Sequence, residues 1–126
     1  MRAGWWLSLT AVSWSVMAAA HATGMTGDAA RGKALYESRC TACHSLDRSR
    51  IGPAHRGVFG RHAASVRDFN YSPALRQSRV TWTPQNLDRW LTNPEAFIPG
   101  QKMGYSVPDP QDRADIIAFL ASPEAR

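Results

Sequence analysis

The stretch Cys40-Thr41-Ala42-Cys43-His44 decides how the rest of the chain is read. Two thiols two residues apart, followed at once by an imidazole, form the C-x-x-C-H pattern by which haem is attached to a polypeptide. Each thiol can add to one of the two haem vinyl groups, and the adjacent imidazole is then placed to bind the iron from one face. Three other readings compete. A redox disulfide uses C-x-x-C within a βαβ context, and no such context is readable here. A zinc site needs four ligands, and the chain has no third cysteine. A buried structural pair of cysteines is the remaining alternative. With two cysteines in all, a disulfide framework is excluded.

Upstream of the motif the chain opens with Arg2 and then runs apolar or small from Ala3 to Ala20, broken by Ser8, Thr10, Ser13 and Ser15. Ala20-His21-Ala22 supplies a small-x-small cleavage site. Residues 1–22 therefore read as an export signal cut after Ala22, with Ala20 as second choice. A retained membrane anchor is the rival, because the apolar run approaches the length that spans a bilayer. Export places residues 23–126 in an oxidising compartment as one domain, too short for a large enzyme core. Loss of Arg2 leaves 14 basic against ten acidic side chains, a net charge of +4. No block of five or six like charges occurs, so a nucleic-acid-binding tail is excluded.

The part after the signal reads as all-α with long loops. Asp28 is placed to cap a helix running to about Cys40, with Gly32, Leu35, Tyr36 and Arg39 or Cys40 on one face. Ser72-Pro73 opens a short helix through Gln77. Thr83-Pro84 opens another that carries Leu87, Trp90 and Leu91 and stops at Asn93, before Pro94. Asp109-Pro110 opens the last, with Ile116, Ile117, Phe119 and Leu120 on its buried side and Ser122-Pro123 at its end. Ile51 to Gly60 and Asn93 to Pro110 read as Gly- and Pro-rich connections between helices, and loops of that length in a small domain carry function.

An iron bound by His44 has a second face. After the signal only Met25 and Met103 offer a thioether, and Met25 lies near the new N-terminus. Met103 ends the irregular segment Ile98-Pro99-Gly100-Gln101-Lys102-Met103. Its polar, glycine-flanked setting is not that of a core filler, and Met103 is the expected sixth ligand. His55 and His62 compete, although their closeness in sequence to His44 makes the opposite face hard to reach. An open face is the last alternative.

From Gly32 to Leu120 the sequence resembles the class I cytochromes c, in the mitochondrial-type branch found in many bacteria. Gly32 and Tyr36 look like that family's glycine and aromatic of the first helix, which pack on Ile116, Phe119 and Leu120 of the last. The resemblance implies a small fold of four to five helices with long loops around one haem c, covalent through Cys40 and Cys43, with iron between His44 and Met103. It implies that the carbonyl of Pro53, in Gly52-Pro53, accepts a hydrogen bond from the iron-bound imidazole. It implies that Arg61 approaches a haem propionate and that Tyr71 and Trp82 hydrogen-bond to propionate. Trp90, Leu75 and Gln101 depart from the family's Tyr, Asn and Thr around the methionine.

The function implied is one-electron transfer, not enzymatic turnover, by a monomer in the periplasm with no membrane span once the signal is cut. Its partners are transient respiratory or photosynthetic redox proteins: an oxidase, a reductase, a reaction centre or a dehydrogenase. They dock at a haem edge rimmed by Arg39, Arg48, Arg50, Arg56 and Lys102. Two alternatives remain: a dedicated cytochrome subunit of a periplasmic dehydrogenase complex, and a haem enzyme or gas binder with a labile Met103.

Overall fold

Five helices in chain order are punctuated by side chains that cap them: α1 (Ala29–Arg39), α2 (Pro73–Gln77), α3 (Pro84–Thr92), α4 (Pro94–Phe97) and α5 (Pro110–Ala121). The structure is a computed structural model that describes residues 25–126. The export signal expected over residues 1–22 lies outside the described residues. Asp28, Ser72, Thr83, Asn93 and Asp109 each accept hydrogen bonds from the first free backbone N–H groups of their helices. Proline then fills the first turn of α2, α3, α4 and α5, where no N–H donor is needed. Among the described residues the one piece of β pairing is a bridge between His62 and Thr81, and the all-α expectation holds.

Two details differ from the sequence reading. The segment after Asn93 is not all loop, because Pro94 opens α4 instead of merely ending α3. Asn93 serves both helices: its backbone N–H donates to Arg89, and its side chain accepts from Ala96 N–H at 3.0 Å. On α5, Ile117 is only partly buried, while Asp112 and Asp115 are buried at 6% and 1% exposure.

Those carboxylates explain how α1 is held against α5. The Arg31 guanidinium pairs with both Asp115 and Asp112, and Arg39 reaches Asp112 at 2.9 Å. Asp115 also accepts from the Asp28 backbone N–H at 2.8 Å and from Gln111 at 2.8 Å. The helices touch at Gly32, where an ideal Cβ would lie 1.8 Å from the Asp115 carbonyl oxygen. One turn on, the Tyr36 ring meets Phe119 with centroids 5.2 Å apart. The crossing expected from Gly32, Tyr36 and Phe119 is therefore the one found, and it aims the C-terminal end of α1, where Cys40 sits.

The other side of the core is built from α3. Leu87, Trp90 and Leu91 point inward, Trp82 packs against Trp90 with centroids 5.3 Å apart, and Leu91 O accepts from Val107 N–H at 2.7 Å. Arg113 on α5 bonds Asp88 at 2.7 Å and the Val107 and Pro108 carbonyls. These bonds fix the return of the chain after Met103.

Candidate haem site

The two thiols and the imidazole lie on one tight turn that continues α1. Cys40 N–H donates to Tyr36 O at 2.9 Å, and Cys43 and His44 N–H both donate to Cys40 O, at 3.1 and 2.9 Å. Thr41 Oγ1 closes the turn on Glu37 O at 2.6 Å. Cys40 is partly buried and Cys43 is exposed; neither is in a disulfide. Burial pushes the Cys40 thiol up to about 11, with Arg39 opposing and Cys43 reinforcing the shift. A redox C-x-x-C depends on a thiol of depressed pKa, and the Cys40 thiol is shifted the opposite way. Among the described residues no group of three or more His, Cys, Asp or Glu side chains is gathered as a metal cluster.

His44 is buried, and its Nδ1–H donates to Pro53 O at 2.9 Å. A donor at Nδ1 leaves the neutral ring's lone pair at Nε2, the tautomer a metal requires. Burial lowers the imidazole's pKa while the Pro53 bond opposes the shift, which favours the neutral, metal-binding form. Gly52 is placed where only hydrogen fits: an ideal Cβ would come within 2.2 Å of His44 Cε1 and 2.7 Å of Nε2. Backbone bonds hold the segment in place, with Gly52 N–H on Cys43 O at 2.8 Å and His55 N–H on Ser45 O at 2.9 Å.

His55 stacks on His44, with centroids 3.9 Å apart and planes 19° apart. Its Nδ1 shares a 3.1 Å hydrogen bond with the Tyr36 hydroxyl. Burial, then the neighbouring His44 and Arg61, hold its pKa well below the ordinary value. Pressed flat on the proximal ring, His55 is not positioned as an opposing ligand. His62 is exposed and its Nδ1 is engaged with Thr81 Oγ1 at 3.1 Å.

Arg61 donates from Nη1 to Arg56 O at 2.9 Å and from Nη2 to Ala54 O at 3.0 Å, and its Nε is buried without a protein partner. A buried guanidinium N–H facing no protein acceptor fits an anionic group such as a propionate. Tyr71 is buried at 7% exposure near Arg61, and its hydroxyl accepts from Val66 N–H at 3.3 Å. Trp82 is equally buried and is pinned beside Arg61 by its backbone N–H, which donates to Arg61 O at 2.9 Å. Arg61, Tyr71 and Trp82, far apart in sequence, thus belong to one neighbourhood.

Met103 packs partly buried against the main core. Gly100 turns the chain toward it at φ +88, a conformation L side chains rarely adopt. Gly100 N–H is held by Glu95 at 3.0 Å, and Met103 N–H by the side chain of Gln101. The donor set therefore fits a haem: two thiols, a neutral imidazole with an open Nε2, a soft thioether, and a guanidinium N–H awaiting an anion.

The basic rim is thinner than its sequence suggests. Arg39 is spent on Asp112, and Arg56 bonds Asp47 and the carbonyls of Glu124 and Arg126. Arg50 donates to Thr41 O, which leaves its charge intact. Arg48 and Lys102 are exposed and form no ion pair among the described residues. The sequence reading missed Asp112, Asp115 and the stacking of His55. The available signal for the first two was a pair of carboxylates three apart on the face of α5 that turns to α1.

Comparison with known proteins bears on the same residues. A family model described as "Cytochrome c" matches residues 29–123. The chain is 44% identical over 97 residues to cytochrome c2 of Rhodopila globiformis, covering 75% of this chain and 92% of that protein. It is 40% identical over 116 residues to cytochrome c2 of Rhodomicrobium vannielii, covering 89% and 88%. The solved structure of cytochrome cH from Methylobacterium extorquens matches with a TM-score of 0.72 at 37% identity, over 75% of this chain and 98% of that one.

Proposed function

The chain belongs to the cytochrome c family, and on that premise we propose that it is an exported, monomeric electron carrier with a His44/Met103-ligated haem. Membership makes it an electron-transfer protein, not an enzyme, with covalent haem c and its iron as cofactor. The observation that carries the finer reading is the His44 Nδ1–H bond to Pro53 O, 2.9 Å long, on the turn that carries both cysteines. It leaves Nε2 as the free nitrogen beside two free thiols.

The residues divide the work. Cys40 and Cys43 would hold the haem through two thioethers, each thiol adding its S and its H across one vinyl C=C. His44 through Nε2 and Met103 through its soft sulfur would hold the iron, and a thioether ligand would favour its reduced state. When bound, haem supplies one iron that gains or loses a single electron. Pro53 fixes the tautomer of His44. Arg61, Tyr71 and Trp82 would hold the propionate end, with Arg61 supplying the compensating charge. Trp82, Trp90 and Leu91 form a buried apolar wall that keeps water out and limits the rearrangement accompanying a change of charge.

Export to the periplasm is supported by the signal-like residues 1–22 and by the cytochrome c2 relatives. No described helix is long and apolar enough to cross a membrane. Arg48, Arg50 and Lys102 would steer the carrier toward acidic faces of an oxidase, reductase, reaction centre or dehydrogenase, in small transient interfaces. Optical spectra of the purified protein test the ligands. Colour should stay with the polypeptide after denaturation and extraction in acidified organic solvent. The oxidised form should show the iron–sulfur charge-transfer band, and Met103→Ala should abolish it. An unchanged spectrum in Met103→Ala would overturn the sixth-ligand assignment, and N-terminal sequencing that begins at Met1 would overturn cleavage.

A further inference from the structure

His55 is a partly buried titratable side chain that the proposed function leaves unused. Its ring lies 3.9 Å from that of His44, centroid to centroid, and the two planes differ by 19°. Its own backbone is fixed on both sides: His55 N–H donates to Ser45 O at 2.9 Å, and His55 O accepts from Val58 N–H at 2.8 Å. Its side chain is fixed as well, through the 3.1 Å bond between Nδ1 and the Tyr36 hydroxyl. Tyr36 is buried and leans on Phe119 of α5 at 5.2 Å. A continuous set of contacts thus runs from the α1–α5 crossing to the imidazole of His44.

We infer that His55 is a positioning residue that sets the plane of the His44 imidazole by stacking on it while anchored to Tyr36. The inference rests on the reading of His44 as an iron ligand. The Pro53 carbonyl holds His44 at one atom, Nδ1. One hydrogen bond has a broad angular range, and Gly52, which lies against Cε1, Nδ1 and Nε2, blocks movement only toward itself. A flat neighbour in parallel contact removes the remaining freedom, because rocking drives one edge of His44 into His55. An aliphatic side chain could fill the same volume but presents no plane to align with. The Tyr36 bond in turn keeps the His55 ring from turning edge-on. The plane of an axial imidazole determines how the unpaired electron of ferric iron is distributed over the porphyrin. That distribution is read directly by the EPR g values and by the order and spread of the haem-methyl proton resonances.

The test uses the oxidised holoprotein as wild type, His55→Leu, His55→Phe and Tyr36→Phe, with circular dichroism to confirm folding. His55→Leu should shift the g values and reorder or compress the haem-methyl resonances. His55→Phe, which restores a flat face without the hydrogen bond, should return both toward wild type. Tyr36→Phe, which keeps the ring on Phe119 and removes only the hydroxyl, should give a smaller shift in the direction of His55→Leu. A purely space-filling role would lower stability in these variants and leave the spectra in place. Wild-type spectra from His55→Leu overturn the inference, and if that variant fails to fold, wild-type spectra from Tyr36→Phe do so. Failure of the underlying reading looks different: the wild type itself would show no hyperfine-shifted His44 ring protons.

Discussion

Replacing Gly52 with alanine is the sharpest perturbation of the site, because two principles give it opposite signs. Gly52 is not among the glycines with positive φ, so its backbone conformation is open to alanine. In a loop where the new side chain fits, that exchange stabilises by about 0.4–1 kcal/mol through the unfolded chain. Here an ideal Cβ would stand 2.2 Å from His44 Cε1, 2.6 Å from Nδ1 and 2.7 Å from Nε2. Ordinary carbon contacts need about 3.5 Å, so the ring must retreat by more than an ångström. The Nδ1–H bond to Pro53 O is 2.9 Å long, and a retreat of that size carries it past the ~3.2 Å reach of an N–H···O bond. Breaking it costs about 1–3 kcal/mol, and overpacking adds about 1–3 kcal/mol. The net expectation is a loss of about 1–5 kcal/mol. Guanidinium unfolding of holoprotein, followed by circular dichroism, measures that loss, and potentiometry should show a changed reduction potential. A Gly52→Ala protein as stable as wild type with an unchanged potential would refute the account of how His44 is seated.

Gly32→Ala should be destabilising by about 2–4 kcal/mol, although alanine is the better helix former by about 1 kcal/mol; its Cβ would lie 1.8 Å from Asp115 O, and a stabilised variant in urea unfolding would contradict the close crossing of α1 and α5. Acid should loosen the same crossing: the Asp28 N–H, with help from Arg31 and Gln111 and against desolvation, holds the Asp115 carboxyl below its ordinary value of 3.8. Protons therefore bind the unfolded chain first, so Asp115's contribution is complete above about 3.8 and vanishes as pH falls through the lower folded value. Asp115→Asn should flatten that part of the stability–pH curve and cost about 2 kcal/mol at neutral pH, as measured by denaturant titration across pH.

The elements legible in the sequence were those with local causes. Asp28 alone marked the start of α1, and Ser72, Thr83 and Asp109, each followed by proline, marked α2, α3 and α5; at α4, Pro94 was read only as the end of α3. A four-residue helix buries too little to leave a periodic pattern, and Asn93 capping two helices at once resembles a loop. The attachment turn was legible because all its ligands are contiguous. Arg61, Tyr71 and Trp82 were reachable only through resemblance, since their proximity depends on long-range folding. The buried Asp112 and Asp115 were missed because charged residues on a helix read as its wet face. Their burial is made tolerable by partners mostly far upstream: Arg31 for both, Arg39 for Asp112, and the Asp28 N–H for Asp115. The stacking of His55 was hidden for a different reason. A histidine eleven residues past His44 suggests a second ligand, and nothing local says that it folds back onto the first.

The cationic rim shows the same limit and changes the expected encounter with partners. Five basic side chains seemed free to steer, yet Arg39 and Arg56 are engaged in holding α1 to α5 and the chain's end to the loop after the motif. A charge paired with a carboxylate contributes little field at a distance, whereas Arg50, bonded to a carbonyl, keeps its full charge. Steering then rests on Arg48, Arg50 and Lys102, together with the net positive charge of the chain. At physiological ionic strength the screening length is about 8 Å, so these three charges act only near contact. Under the proposed function they would orient a partner already close to the surface and add little to its capture from afar. The proposed carrier would then gain speed from a buried site that needs little rearrangement, more than from long-range attraction.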